Sequence, residues 1–482
     1  MAYNIRMVST YPPRRCGIGT FSRDLATALA HFTSEVGHIR VAAIDNDNGP
    51  YDIPVDLTID QYNPESWHNI ITHITTRAKE AANPTIVILQ HEYGLDPDKD
   101  GNDGQGTHYV DLAQAFGQRG LITLVYLHTV LDDPDPHQKR TLRSLAAHSD
   151  GLIVPTESAV QILASNTYSI RRSKLKHIDH GIRMQHRTQF DRLAIKREYG
   201  LENRFLIATL GLHSPDKGLQ YSIRAYGRFL QESCTDEQRK KLVYIIAGQC
   251  HPEFVKAGGG DLYREYQATL SQALAESKVR WCEVKDLAGL CTRDDGAMID
   301  LDQYDVVFVD AFLDETILLK LYAAANIVVL PYLNMQQISS GILADTLGSA
   351  RVAIATKFRY AVELINSNRR CASGVVIGRH ARGILVDPGE PSVEQIAQAL
   401  DYLVFNEDIR LIMERQAHQR GYQMRWNNSA WALLQYIDFV REQKEVVTGR
   451  GVKFSRERPS VLAEGLNTKL LQTARRISAS EA

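Results

Sequence analysis

The sequence predicts an α/β protein of two doubly wound domains that face each other across a cleft. Three observations lead there. The 482 residues exceed one ordinary core and match two domains of about 100–200 residues each, plus insertions. Short β-branched runs alternate with amphipathic helical stretches, which demands parallel sheets covered on both faces. That alternation then restarts after about residue 190.

In chain order, Ile5 to Ser9, Ile39 to Ile44, Thr85 to Gln90, Leu121 to Leu127 and Leu152 to Val154 read as buried strands. The clearest helix between them places Phe21, Leu25, Ala28, Leu29 and Phe32 on one face at helical spacing. A second set of strands reads at Arg204 to Leu210, Leu242 to Ala247, Val306 to Val309, Ile327 to Leu330, Val352 to Ala355 and Ile384 to Val386. Helices between these run over Leu219 to Leu230, Leu262 to Ala275, Thr316 to Ala325 and Val393 to Val404. The expected organisation is a first Rossmann-like domain over 1–190 and a second over 191–420, joined near 185–200. A helix over 421–444 crosses back to the first domain, and a charged tail over 445–482 is disordered or loosely docked. Residues 283–304 break the rhythm as a polar insertion. In doubly wound sheets ligands bind at the carboxyl ends of the strands, and clefts between domains are favoured ligand sites.

Composition narrows the class. Apolar residues make up 44% and charged residues 23%, as in ordinary globular chains. A net charge of −2 gives no global pull towards nucleic acid or an anionic membrane. The start, Met1-Ala2-Tyr3-Asn4-Ile5-Arg6, lacks a charged-then-apolar leader pattern, and no apolar run approaches the ~20 residues of a membrane span. The six cysteines have no CxxC spacing, so they read as reduced thiols of a cytoplasmic protein.

Four segments carry possible chemistry. Pro12-Pro13-Arg14-Arg15-Cys16-Gly17-Ile18-Gly19-Thr20 lies between a strand and a helix. Glycines let backbone approach a ligand, and a helix N-terminus attracts anions; a plain tight turn is the equal alternative. Gly211-Leu212-His213-Ser214-Pro215-Asp216-Lys217-Gly218 also opens a helix at a strand end. Its lysine is either a diphosphate contact or a surface residue. His128, in Leu127-His128-Thr129, is either a sugar ligand at the cleft or a satisfied structural histidine. Gln337-Ile338-Ser339-Ser340-Gly341-Ile342-Leu343-Ala344-Asp345 offers helix N–H donors and, in Asp345, an acceptor for ribose hydroxyls; an ordinary capped helix is the alternative.

Two patterns are set aside. His91-Glu92 is not a zinc motif, because position 95 is Leu. Asp96 to Gly101 begins like a calcium loop but has Thr107 where the bidentate Glu belongs.

Taken together and in this order, these segments resemble glycosyltransferase family 4, retaining enzymes of the GT-B fold, over about residues 3–443 outside the insertion. Tyr11 to Phe21 resembles the family's acceptor-side glycine loop. Gln90-His91-Glu92-Tyr93-Gly94, Leu127 to Leu131, Gly211 to Gly218 and Gly248-Gln249-Cys250-His251-Pro252 resemble a bacterial subgroup. The resemblance implies catalytic roles for His128, Lys217 and Gln337. It implies donor binding by Gly17, Gly19, Arg15, Lys217, Ser340, Gly341 and Asp345, and an acceptor side around His91 and Glu92. Gln337 and Asp345 stand at the two ends of the family's Glu-seven-residues-Glu motif, in place of both glutamates. Leu212 replaces an expected phosphate-binding arginine, and Gly341 sits one place late; Arg14, Arg15 or Arg183 is expected to supply the missing charge.

The implied function is transfer of a sugar from a nucleotide-sugar to a hydroxyl of a saccharide or glycoconjugate. No metal or cofactor and no nucleic acid is expected, and membrane contact is expected only with a lipid-linked acceptor. The alternatives are a phosphorylase or nucleotide-sugar epimerase on the same fold, or a sugar-nucleotide-binding protein without catalysis. Donor base, sugar, acceptor and oligomeric state are not readable from the sequence.

Overall fold

Among the described residues, fourteen strands build two parallel sheets. The first contains β1 (Tyr3–Ser9), β2 (Val36–Asp45), β3 (Val55–Asp60), β4 (Thr85–His91), β5 (Ile122–Leu127), β6 (Gly151–Val154) and β7 (Leu175–His177). The second contains β8 (Phe205–Leu210), β9 (Leu242–Ala247), β10 (Trp281–Val284), β11 (Val306–Val309), β12 (Ile327–Leu330), β13 (Val352–Thr356) and β14 (Gly383–Val386). The computed structural model describes residues 2–46, 49–97, 106–183, 191–256, 260–285, 303–365, 376–378 and 380–447.

The first sheet runs β3-β2-β1-β4-β5-β6-β7 and the second β10-β11-β9-β8-β12-β13-β14. In each, the chain starts mid-sheet, winds to one edge, then returns and winds to the other. The order therefore reverses between β1 and β4, and between β8 and β12. At such a reversal the flanking loops diverge and leave a crevice at the strands' carboxyl ends.

Central strands are buried on both faces and so read as unbroken apolar runs. Ile86, Val87, Ile88 and Leu89 of β4 and Val243, Ile245 and Ile246 of β9 have no exposed surface. Burying one such side chain stabilises by about 1.5–3 kcal/mol. The helix Gly17–Ala30 packs on the first sheet through Phe21, Leu25, Ala28 and Leu29, the face expected from their spacing.

Three strands were not anticipated: β3, β7 and β10. All are edge strands with half-exposed faces, so none carries a continuous apolar signal. β10 also corrects the expected insertion at 283–304. Glu283 and Val284 pair with Phe308 and Val309 of β11, and most of the remainder, 286–302, lies outside the described residues.

The chain returns to the first domain through a backbone exchange, in which Ile182 N–H donates to Met424 O at 2.7 Å. The expected 421–444 helix is divided. The helix Glu407–Gln423 ends, and Trp426–Val447 begins anew. Its first turns pack on the first domain: the Tyr436 hydroxyl donates to Lys174 O at 3.1 Å, and Ser429 Oγ to Asp179 O at 2.9 Å. Residues 1–437 form one compact unit. In the second unit, 438–482, the described turns carry an Arg441–Glu445 contact at 3.7 Å, and the tail beyond 447 lies outside the described residues. No helix among the described residues is long and apolar enough to cross a membrane.

Candidate active site

The turns after β8, β9 and β12 interlock at the second sheet's reversal. Gly211 (φ +99°), Gly218 (φ +64°) and Gly248 (φ +143°) all adopt positive φ, which side chains rarely tolerate. A Cβ on Gly248 would lie 1.9 Å from Gly211 O, and one on Gly218 would lie 2.2 Å from Pro331 O. Only glycine lets these backbones approach so closely. Leu333 N–H donates to Asp216 O at 2.7 Å, tying the lysine turn to the end of β12.

Lys217 is thereby held in place. Its ammonium lies 4.3 Å from the centre of the Tyr332 ring and 3.4 Å from Asp216. Tyr332 is buried beside the Ser340 side chain; burial pushes its pKa up, against the pull of Lys217 and Ser340. Ser340 also caps the helix Gly341–Gly348, accepting from Leu343 N–H at 3.2 Å. That helix has no acidic residue in its first turn, and the space beside the exposed Gly341 is open. One chain of contacts thus joins Lys217 to a helix N-terminus, where N–H groups and the helix dipole favour an anion. Tyr332 is the link that sequence reading missed; its only signal was its place at a strand end.

Two other residues of the segment turn inward. Gln337 Nε2 donates to Ser339 O at 2.7 Å, bracing its own turn. Asp345 lies near the Arg183 backbone, and burial pushes its pKa up to about 7. Arg183 lowers that value, while Asp24 and Glu315 add to it.

At the first sheet's reversal, Arg15 leaves the β1 loop and its guanidinium lies 4.4 Å from the centre of the Phe312 ring, beyond β11. Arg14 instead donates to Ile44 O at 3.2 Å within its own domain. The helix beginning at Gly17 has Cys16 at its N-cap, no side-chain cap and no acidic residue in its first turn. Gly17 faces open space. Gly19 is buried, and a Cβ there would lie 3.4 Å from Tyr11 backbone, so Gly19 also serves the packing of helix on loop.

His128 follows β5. Its ring stacks on Tyr126 at 5.2 Å and meets the edge of Phe21 at 4.9 Å. Nε2 lies 2.8 Å from Gln90 Oε1. Burial lowers its pKa to about 3, and His180 and His91 add to the effect. The imidazole is therefore neutral near neutral pH. With Gln90 accepting at Nε2–H, Nδ1 is left as a hydrogen-bond acceptor.

His91 has no exposed surface and lies against the rings of Tyr93 and Tyr109. Neither of its nitrogens has a partner among the described residues, and burial lowers its pKa to about 4. Its side chain is thus packed beneath the surface rather than presented on it. Glu92 accepts from Tyr93 N–H at 3.0 Å and from Thr129 Oγ at 2.6 Å, joining the ends of β4 and β5. Most of the calcium-like loop, 98–105, lies outside the described residues. Among those described, no group of metal-ligating side chains is assembled.

The carboxyl ends of the two sheets meet. Asp132, beyond β5, pairs with Arg359 beyond β13, and its N–H donates to Gln336 Oε1 at 3.1 Å. Glu363 accepts from Glu157 and Ser158 N–H at 3.0 and 2.8 Å, capping the helix Glu157–Ala164 from the opposite domain. Arg183, expected as a spare cation for the donor, is instead taken up by Asp24 and by Glu315, the latter at 2.9 Å. The sequence could not show this, because Asp24 and Glu315 lie on helices of different domains.

No protein-family model and no curated protein matches this chain. Solved structures do. HepE (Alr3699) of Anabaena in complex with UDP is similar, with TM-score 0.62 and 14% identity, over 90% of this chain and 100% of that one. So is an α,α-trehalose-phosphate synthase (UDP-forming) of Burkholderia xenovorans in complex with glucose-6-phosphate, with TM-score 0.59 and 13% identity, over 91% and 100%. A structure from E. coli described as trehalose-6-phosphate bound with UDP-2-fluoro glucose gives TM-score 0.61 and 12% identity, over 91% and 99%. At such identities the likeness is one of fold: the chain has the GT-B architecture of two Rossmann-like domains.

Proposed function

We propose that the protein is a retaining glycosyltransferase that moves a sugar from a nucleotide-sugar to a hydroxyl of a saccharide or glycoconjugate acceptor. The observation that carries this reading is the placement of two cations, Lys217 and Arg15, at the two strand-order reversals, each beside a helix N-terminus free of acidic residues. Such a pair suits a diphosphate placed between the domains. The complexes of similar folds with UDP and with UDP-2-fluoro glucose support a nucleotide-sugar donor here.

In this reading the second domain holds the donor. Lys217 and the N–H groups beside Ser340 and Gly341 receive the diphosphate, and Asp345 serves the ribose. Gln337 hydrogen-bonds the sugar within the turn it braces. The first domain brings Arg15 and the Gly17–Gly19 turn to the diphosphate from the other side. His128 accepts from a sugar hydroxyl through Nδ1, and its neutrality avoids placing a cation beside the developing oxocarbenium ion. The bond between C1 and the diphosphate oxygen breaks, and the electron pair stays on the diphosphate. The acceptor oxygen bonds to C1 from the same face, and its proton passes to the departing phosphate oxygen. Preorganised cations and N–H groups stabilise the leaving charge, so this scheme needs neither an enzyme nucleophile nor a metal. Closure between the domains excludes water and limits hydrolysis.

Product analysis by NMR, with a panel of nucleotide-sugars and saccharides, tests the reading. Transfer with unchanged anomeric configuration is expected. Phosphate-dependent disaccharide breakdown would instead identify a phosphorylase, and acceptor-free conversion of the donor an epimerase. Donor binding without turnover across the panel would favour the non-catalytic binder, to which Leu212 and the inward-turned Gln337 point.

A further inference from the structure

A cavity of about 410 Å³ opens beside the crossing between the domains. Its walls come from four segments: Arg23, Asp24 and Thr27 on the helix Gly17–Ala30 with His31 just after it, Arg183 beside the isolated bridge of Ile182 with Arg425, Glu315 at the start of the helix Glu315–Ala324, and Trp426 with Asn427, whose Oδ1 lies 3.4 Å from His31 Nδ1. The volume lies within the ~300–1,000 Å³ typical of small-molecule sites. Arg183, Asp24 and Glu315 also act electrostatically on Asp345 of the proposed donor crevice; the other wall residues lie apart from it.

The lining combines an aromatic plane with a dense set of donors and acceptors in which two arginines are ion-paired with two carboxylates. Trp426 is half-buried and fixed: a Cβ on Gly181 would fall 2.0 Å from its ring, and Phe21 meets it at 5.1 Å. Arg23 contacts Asp24 at 2.9 Å and Glu315 at 2.8 Å; Arg183 contacts Glu315 at 2.9 Å and also pairs with Asp24. These two guanidiniums and two carboxylates cancel in charge. An anionic ligand would have to displace a carboxylate from its arginines. A neutral polyhydroxylated ligand would not, because each hydroxyl both donates and accepts, and guanidinium N–H groups and carboxylate lone pairs stand side by side here. A pyranose also offers an apolar face to an indole ring.

We propose that this cavity is a second saccharide-binding subsite, selective for a neutral sugar. A sugar seated there would touch both domains and the C-terminal crossing at once, and so would favour the arrangement that brings Asp24, Arg183 and Glu315 together.

The experiment is calorimetric titration of the full chain with glucose, maltose and glucose 6-phosphate, and separately with UDP. Either neutral sugar should bind, and glucose 6-phosphate should bind the cavity at least tenfold more weakly than glucose. Thr27→Trp, which fills the cavity from an exposed helix position, should abolish sugar binding. Asn427→Ala, a milder change at the rim, should weaken it severalfold. Both variants should bind UDP as the parent does. The proposal is overturned if neither neutral sugar binds, if both variants bind sugar as the parent does, or if glucose 6-phosphate binds more tightly than glucose and is displaced by Thr27→Trp. Loss of UDP binding in the parent would count against the donor reading, and the sugar titrations would still decide the subsite.

Discussion

Gly218 and Gly200 provide a controlled perturbation of the donor-side turn. Both sit at φ +64°, so alanine at either position carries the same left-handed backbone cost, about 1–2 kcal/mol. They differ in their surroundings. Nothing lies within 4 Å of a Cβ on Gly200, whereas a Cβ on Gly218 would lie 2.2 Å from Pro331 O. That oxygen belongs to the backbone and cannot rotate aside, so Gly218→Ala adds an overpacking cost of about 1–3 kcal/mol. The expected totals are about 1–2 kcal/mol for Gly200→Ala and about 2–5 kcal/mol for Gly218→Ala. At about 2–4 °C per kcal/mol for a domain of this size, Gly218→Ala should melt about 2–12 °C below Gly200→Ala. It should also weaken UDP binding, because the shifted turn carries Lys217; Gly200→Ala should not. Equal melting temperatures for the two variants would refute the close packing of the lysine turn against β12.

Three further outcomes follow from the site. His128→Ala should lower turnover about tenfold to a hundredfold, the worth of one or two buried hydrogen bonds, with donor affinity nearly unchanged; full activity would remove His128 from the site. Arg15→Ala should weaken donor affinity by a similar factor, as loss of a charge-assisted contact does, and an unaltered dissociation constant would exclude Arg15 from the diphosphate. Asp345 retains its proton in the folded state up to about pH 7, well above its unfolded range. The folded state then binds more protons than the unfolded one between about pH 4 and pH 7, so this group's contribution to stability is full below that window and is lost as pH rises through it. Asp345→Asn should therefore raise the melting temperature at pH 8 relative to the parent and leave it nearly unchanged at pH 4; no gain at pH 8 would contradict the burial of that carboxyl.

The central strands were legible because two-sided burial favours unbroken apolar runs, such as Ile86 to Leu89 in β4 and Leu242 to Ala247 in β9. Edge strands with an exposed flank obey no such demand, unlike the buried edge strand β14. β3 and β7 drew no strand reading, and part of β10 read as insertion, since one half-exposed flank admits Asp56, Lys176 or Glu283. The turns of the site were legible through their glycines, which mark positive φ and close backbone approach at Gly211, Gly218 and Gly248. Contacts between the domains were not, because no local spacing encodes them. The cation–ring pair of Arg15 with Phe312, and the pairing of Arg183 with Asp24 and Glu315, exist only once the sheets face each other. Tyr332 carries no motif either, yet it joins Lys217 to Ser340.

Nucleotide binding tests the central claim most directly. The full chain should be titrated calorimetrically with UDP, GDP and ADP and with their sugars, alongside Lys217→Ala. One nucleotide should bind selectively, and Lys217→Ala should lose about tenfold or more of that affinity while remaining folded, as removal of a charged phosphate contact does. A folded parent that binds none of these nucleotides, or a Lys217→Ala variant that binds one as tightly as the parent, would contradict a donor crevice at the β8–β12 reversal.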